Sequence, residues 1–246
     1  MSHQEATTSS TSLPRPRLAS MTVPDMQRAF ENGITVSEEL VKTYNSRINE
    51  VNSKVRAVVW HNLDAESIAQ ESGKRRERKE SRSILDGIPF MVKDVFLTTD
   101  NMPSTTGCSG LRNATPSFEA TVIKKLREKG AVLSGETNLS QWNNYRNYHA
   151  PGNTPSGWSS VGSECKGIFV AEQDPRGCSS GSAVAVALGL VPVALATEGS
   201  NAAPACSAEV VGLKPTSSVT SRHGVYCVSS SKIALELWQR RARMQR

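Results

Sequence analysis

No stretch of the sequence reaches the ~18 consecutive apolar residues that a membrane-spanning helix needs. The first twenty residues, MSHQEATTSSTSLPRPRLAS, lack the apolar core of a secretory signal and read as a disordered lead-in. The five cysteines (Cys108, Cys165, Cys178, Cys206 and Cys227) are odd in number and match no zinc-binding spacing. That pattern argues against a metal site or a disulfide framework. Reduced thiols in an intracellular, cytoplasmic protein are the expectation. There is no internal repeat.

What remains is ordinary for a globular chain of 246 residues: 37% hydrophobic, 21% charged, net charge +6. The positive excess is local. Lys74, Arg75, Arg76, Arg78 and Lys79 form one cluster; Arg240, Arg241, Arg243 and Arg246 form another. Neither has the aromatic or glycine-rich readout elements that accompany nucleic-acid surfaces. Both read as solvated surface, so neither a nucleic-acid nor a membrane partner is expected.

Order begins near Met21. Residues 23–33 suggest a helix ended by Gly33, and Thr35 with Glu38 three residues on suggests a capping box for the next one. Residues 55–60 (VRAVVW) are rich in strand formers, and 64–81 read as a polar helix. GIPFMVKDVF (87–96) is an apolar, strand-like run with a lysine and an aspartate near its end. Residues 120–129 are amphipathic, and Gly130 ends them. AVLSGETN (131–138) and VPVALAT (191–197) read as buried strands, with a helix through 183–188 before the second. The long Gly/Pro/Asn-rich segment 140–176 is irregular, as functional loops often are. Helices alternating with wholly apolar strands predict an α/β fold with a covered, largely parallel sheet.

The chemistry-bearing stretch is GCSSGSAVAVALGL (177–190), a tiny-residue loop opening into an apolar helix. It lacks the lysine that a phosphate-binding loop places after its second glycine. It satisfies G-x-S-x-G, but AEQDPR (171–176) before it is not the strand that a nucleophile elbow needs. Two constellations are left. One is a thiol–imidazole pair, Cys178 with His223, against a purely structural thiol. The other joins Lys93 with Ser200, which follows the buried strand 191–197 in TEGSNAAPA. A lysine buried at a strand end favours its neutral amine, which can serve as a base. A serine hydroxyl needs such a base to become a nucleophile. The bland alternative leaves Lys93 snorkelling to the surface and Ser200 in a turn.

GIPFMVKD, GETNLSQW (135–142), PSGWSSVG (155–162), DPRGCSSGSAVAVALGLVPVALATEGS and VVGLKPT (210–216) occur in that order. Together they resemble the amidase signature family of amide hydrolases, especially its fungal branch. The resemblance spans residues 21–231. It implies a mixed, largely parallel twisted sheet flanked by helices, and a Ser–Ser–Lys mechanism on a small-molecule amide, with no metal and no cofactor. Lys93 would be the base and Ser200 the nucleophile. The relay serine, held by a cis peptide bond, would fall at Cys178, with Gly177, Ser179 and Ser180 completing the relay loop. Backbone N–H groups of Glu198, Gly199 and Ser200 would hold the oxyanion. The transamidase subunit that forms amide-charged tRNA shares this core, and co-purification with a tRNA-binding subunit would mark it.

The chain departs from the family pattern in three places. A thiol stands where the relay hydroxyl is expected, and a thiol is the weaker hydrogen-bonding group. Relatives carry two more residues between Thr197-Glu198 and Gly199-Ser200. After Tyr226 the family pattern continues into a second half, whereas this chain reads VSSSKIALELWQRRARMQR and stops. The expected organisation is therefore a lead-in (1–20), the N-terminal part of an amidase signature domain (21–231), and a basic tail unlike the family (232–246), which could form a short basic amphipathic helix but reads more like sequence beyond a missed splice junction or frame change. The alternative to an active hydrolase is a catalytically inactive, truncated remnant; the sequence leaves the oligomeric state open.

Overall fold

The computed structural model describes residues 21–145, 154–197, 202–216, 219–227 and 235–240. Thr22 opens α1 (Val23–Glu31) with a reciprocal box: Asp25 N–H donates to Thr22 Oγ1 (3.3 Å) and Thr22 N–H donates to Asp25 Oδ2 (2.9 Å). The box expected at Thr35 and Glu38 does not form. α2 (Ser37–Val55) has Val36 at its N-cap, and Thr35 Oγ1 donates to Glu39 Oε2 instead (3.2 Å). The start of α2 is anchored by a tertiary contact, Ser37 Oγ donating to the Gly87 carbonyl at 2.7 Å, which overrides the local capping signal.

The chain continues through β1 (Val58–His61), α3 (Ala65–Glu77), β2 (Pro89–Lys93), α4 (Thr121–Glu128) and β3 (Val132–Thr137). The irregular segment carries a short hairpin, β4 (Trp158–Ser159) with β5 (Ser163–Glu164). Then come α5 (Ser180–Ala187), β6 (Val193–Thr197), α6 (Ala202–Ser207), β7 (Val210–Leu213) and β8 (Leu235–Arg240). Six strands form one sheet in the order β1-β3-β2-β6-β8-β7. The centre is parallel, β3 with β2 and β2 with β6; the outer pairs β1–β3, β6–β8 and β8–β7 are antiparallel. This is the expected mixed α/β sheet flanked by helices, its parallel pairing concentrated where burial is deepest.

A helical reading of residues past 232 is corrected. Residues 235–240 form a strand lying between β6 and β7, with Leu235 opposite Thr197 and Leu237 opposite Leu213. The backbone of β6 would otherwise present an unpaired edge beside buried Ala194 and Ala196, and β8 supplies its partner.

Strand alternation sorts the core onto two faces. On one face Met91, Ala194 and Ala196 pack with the wholly buried α5 and with Ile48 of α2. On the other, Phe90, Val92 and Leu195 pack with Ile123 of α4. The first basic cluster is tied into the fold. Arg75 pairs with buried Asp86 (2.7 Å), Arg76 donates to Gln27 (2.9 Å) and lies over the Phe30 ring, and Lys74 pairs with Glu71 (2.6 Å). Among the described residues no helix is long and apolar enough to cross a membrane.

Candidate active site

Parallel pairing of β3, β2 and β6 brings their carboxyl ends to one edge of the sheet, where α/β folds place their ligands. Lys93 is the last residue of β2, Thr137 of β3 and Thr197 of β6. Lys93 is 0% exposed. It does not snorkel: its Nζ lies 2.9 Å from Thr197 Oγ1 and 3.1 Å from Cys178 Sγ. The family resemblance implies that Cys178 stands beside Lys93, and the fold brings the two side chains into contact. Thr197 is the partner that sequence reasoning missed.

The loop before α5 reaches this edge because three distant segments hold it. Ser140 N–H donates to the Cys178 carbonyl (3.1 Å) and Ser140 Oγ to the Gly177 carbonyl (3.4 Å), while Ser140 Oγ accepts from Gly157 N–H (2.8 Å). Thr137 Oγ1 and Ser182 Oγ share a 2.6 Å hydrogen bond that fixes the first turn of α5 on β3. Gly181 faces the backbone of Asn138 and Ala57 so closely that any Cβ would collide with it. Asn138 ties the loops together, donating through Nδ2 to the Arg56 and Ser163 carbonyls (2.9 and 3.0 Å) and accepting through Oδ1 from Ser159 Oγ (2.7 Å). The small residues of the loop are thus explained by close backbone approach rather than by phosphate binding.

Gly177 takes φ +61°, the left-handed conformation that glycine adopts freely. Ser179 stands at the N-cap of α5 and Ser180 is its first residue, both fully buried. The Ser179 hydroxyl has no hydrogen-bond partner among the described residues. The expected cis peptide bond at 177–178 is corrected: every peptide bond among the described residues is trans. The positive φ of Gly177 turns the chain without the roughly 3–4 kcal/mol that a non-proline cis bond requires. Glu198, Gly199 and Ser200 lie outside the described residues, immediately after Thr197.

The thiol–imidazole alternative finds no support in the geometry. His223 Nδ1 lies 3.3 Å from Thr121 Oγ1 at the start of α4, and its ring stacks against Phe118 at 5.0 Å, whereas Cys178 meets Lys93. Cys165 is a buried structural thiol, and burial pushes it up to about 12. None of the five cysteines is joined in a disulfide.

Behind Lys93 sits a pair that the sequence did not disclose. Asp94 and Glu136 are both fully buried. Asp94 accepts hydrogen bonds from Thr105 N–H (2.5 Å), Thr105 Oγ1 and Gly107 N–H (3.0 Å), yet burial still pushes its carboxyl up to about 6. Burial first and the neighbouring Asp94 second drive Glu136 well above the carboxylate range. Glu136 Oε1 accepts from Thr98 Oγ1 (3.4 Å), Oε2 has no hydrogen-bond partner among the described residues, and the interaction with Asp94 favours the protonated form of Glu136. Both carboxyls are raised in the folded state, so their contribution to stability is present at low pH and is lost as pH rises through their folded values. For Asp94 that window runs from its unfolded value of 3.8 to about 6, and Glu136 extends it upward. Glu136→Gln keeps a donor for Asp94 and removes the buried acid. Thermal melts at about pH 5 and about pH 8 are expected to show a flatter pH dependence for Glu136→Gln than for wild type, with the variant at least as stable at the higher pH. An equally steep fall in both proteins would remove Glu136 from this account.

Residues 39–236 match the amidase family. The chain belongs to that family. A protein of Arthroderma benhamiae that carries an amidase name is 41% identical over 206 residues, which cover 83% of this chain and 34% of the relative. A probable amidase of Arabidopsis thaliana is 37% identical over 212 residues, 85% of this chain and 41% of that one. The crystal structure of a peptide amidase from Stenotrophomonas maltophilia superposes with a TM-score of 0.84 at 34% identity, covering 92% of this chain and 46% of its own. This amidase-family chain thus spans 34–41% of the length of the first curated relatives it matches.

Proposed function

We propose that this chain carries the proton-transfer side of a carboxamide hydrolase, with Lys93 as base and Ser200 as nucleophile. The observation that carries the reading is the fully buried Lys93 amine held between Thr197 Oγ1 at 2.9 Å and Cys178 Sγ at 3.1 Å, with Glu198-Gly199-Ser200 following Thr197 directly in the chain. In this reading the Ser200 hydroxyl proton passes by way of Cys178 to Lys93 as Ser200 Oγ attacks the amide carbon. Backbone N–H groups at Glu198, Gly199 and Ser200 receive the oxyanion, which is where such donors act most strongly. The departing amine takes the proton back, and water then cleaves the acyl-enzyme. The substrate is a small carboxamide, and the peptide amidase among the structural relatives supports that class. We place the protein in the cytoplasm.

The organisation we favour is a lead-in at 1–20, the N-terminal part of an amidase signature domain at 21–231, and a tail at 232–246 that lends β8 to the sheet. Val211, Leu213 and Leu237 are exposed on the β7–β8 pair, which supports a sheet that belongs to a larger domain. A second reading, a chain that no longer turns over, is favoured by one observation: a thiol lies 3.1 Å from Lys93 Nζ, where the family resemblance implies a relay hydroxyl.

A fluorophosphonate probe tests the nucleophile. Wild-type chain is expected to label, and Ser200→Ala is expected not to. Labelling that survives the substitution would remove Ser200 from the role.

A further inference from the structure

The contact between Lys93 and Cys178 places a nucleophilic amine against an oxidisable sulfur. Both side chains are buried, and the N···S distance is 3.1 Å. Cys178 keeps 6% of its surface, within reach of a molecule as small as a hydroperoxide. We propose that Lys93 Nζ and Cys178 Sγ are a redox modification site, joined by a reversible S–N bond when the protein meets a hydroperoxide. The proposal stands on this contact and is independent of whether the chain hydrolyses amides.

The steps balance. Cys178 sulfur attacks the peroxide: an S–O bond forms, the O–O bond breaks, and the thiol proton leaves with the released water (or alcohol, from an organic hydroperoxide). Sulfur loses two electrons and the peroxide gains them, giving a sulfenic acid. Such acids condense with neighbouring thiols or with nitrogen. Here the nitrogen already in contact is Lys93 Nζ. Its lone pair attacks sulfur, the N–S bond forms, the S–O bond breaks, and hydroxide departs with an amine proton as a second water. Two equivalents of a reducing thiol reverse the bond, regenerating the Cys178 thiol and the Lys93 amine and leaving as a disulfide.

The surroundings favour this product over competing ones. Lys93 Nζ lies within hydrogen-bond distance of both Thr197 Oγ1 and Cys178 Sγ, so the reacting nitrogen and sulfur are in contact before the bond forms. Cys165 is fully enclosed and is held as an unreactive thiol. Cys206 and Cys227 are exposed, so their oxidation must be distinguished by position.

The test uses the full chain and hydrogen peroxide, followed by tryptic digestion without reductant and mass spectrometry. The expected product joins the peptide containing Lys93 to the one containing Cys178, with a net loss of two hydrogens. Cleavage after Lys93 should disappear and should return on treatment with dithiothreitol. Lys93→Arg is expected to abolish the link and leave a Cys178 sulfenic acid that dimedone traps. The proposal is overturned if Cys178 of the wild type ends as a sulfenic or sulfinic acid, or as a disulfide to another cysteine, while cleavage after Lys93 persists. Because the wild-type digest is decisive, poor folding of the variant would not protect the idea.

Discussion

Lys93→Met is expected to lower amide turnover, or the rate of fluorophosphonate labelling, by about 10²–10⁴-fold, the range that a positioned general base contributes. The choice of methionine follows from the site. Lys93 is enclosed at the end of β2, between β3 and β6, and its stem follows Met91 on the face that packs against α5. An unbranched apolar side chain fills that volume without a buried charge, and such replacements are well tolerated where an ionisable group is enclosed. Thr197 and Cys178 each lose one hydrogen-bond partner. The melting temperature should therefore stay near that of wild type while labelling collapses. Labelling at the wild-type rate by a folded Lys93→Met protein would show that Ser200 is activated by some other group.

That expectation depends on contacts spanning most of the chain, and they explain what the sequence could and could not disclose. Lys93 was legible because a lysine closing the run GIPFMVK is conspicuous. The Cys178 loop was legible because tiny residues running into an apolar helix are conspicuous too. Their meeting, 85 residues apart in the chain, was legible only through the family resemblance, and the Lys93–Thr197 contact, 104 residues apart, was not legible at all. Parallel register decides those contacts: Met91 stands opposite Ala194 and Val92 opposite Leu195, so the ends of β2 and β6 arrive together. The Asp94–Glu136 pair has the same origin. Glu136 pairs with Val92 across β2–β3, and no local pattern announces which carboxylates such a register will bury together.

Local signals failed where a tertiary contact outweighed them. Thr35 and Glu38 spell a capping box, yet Ser37 is drawn to Gly87 and Thr35 turns to Glu39. Residues 235–240 are too few for periodicity to separate helix from strand, and the open edges of β6 and β7 decide in favour of strand. The cis bond expected from the family resemblance is replaced by a trans chain turned at Gly177.

Cys178→Ser is expected to raise activity, on the order of tenfold. Cys178 Sγ stands 3.1 Å from Lys93 Nζ, in the position where relatives are expected to carry a relay hydroxyl. A hydroxyl both donates and accepts more strongly than a thiol, and it forms shorter bonds. A relay must do both in the same step, accepting from Ser200 as it donates to Lys93. Strengthening one such hydrogen bond in the transition state by about 1.4 kcal/mol gives the tenfold gain. The loop should accept the change without rearrangement, because its placement rests on the Cys178 carbonyl and on Gly177, which the substitution leaves in place. Turnover should be followed together with probe labelling in both proteins. A gain would establish the thiol as the limiting defect, and the same variant should lose the peroxide-induced link to Lys93. Unchanged turnover in a folded Cys178→Ser protein would move the defect to the 198–200 segment, where relatives are expected to carry two further residues between Thr197 and Ser200. In that case restoring two residues there, rather than the hydroxyl, is the change that should recover hydrolysis.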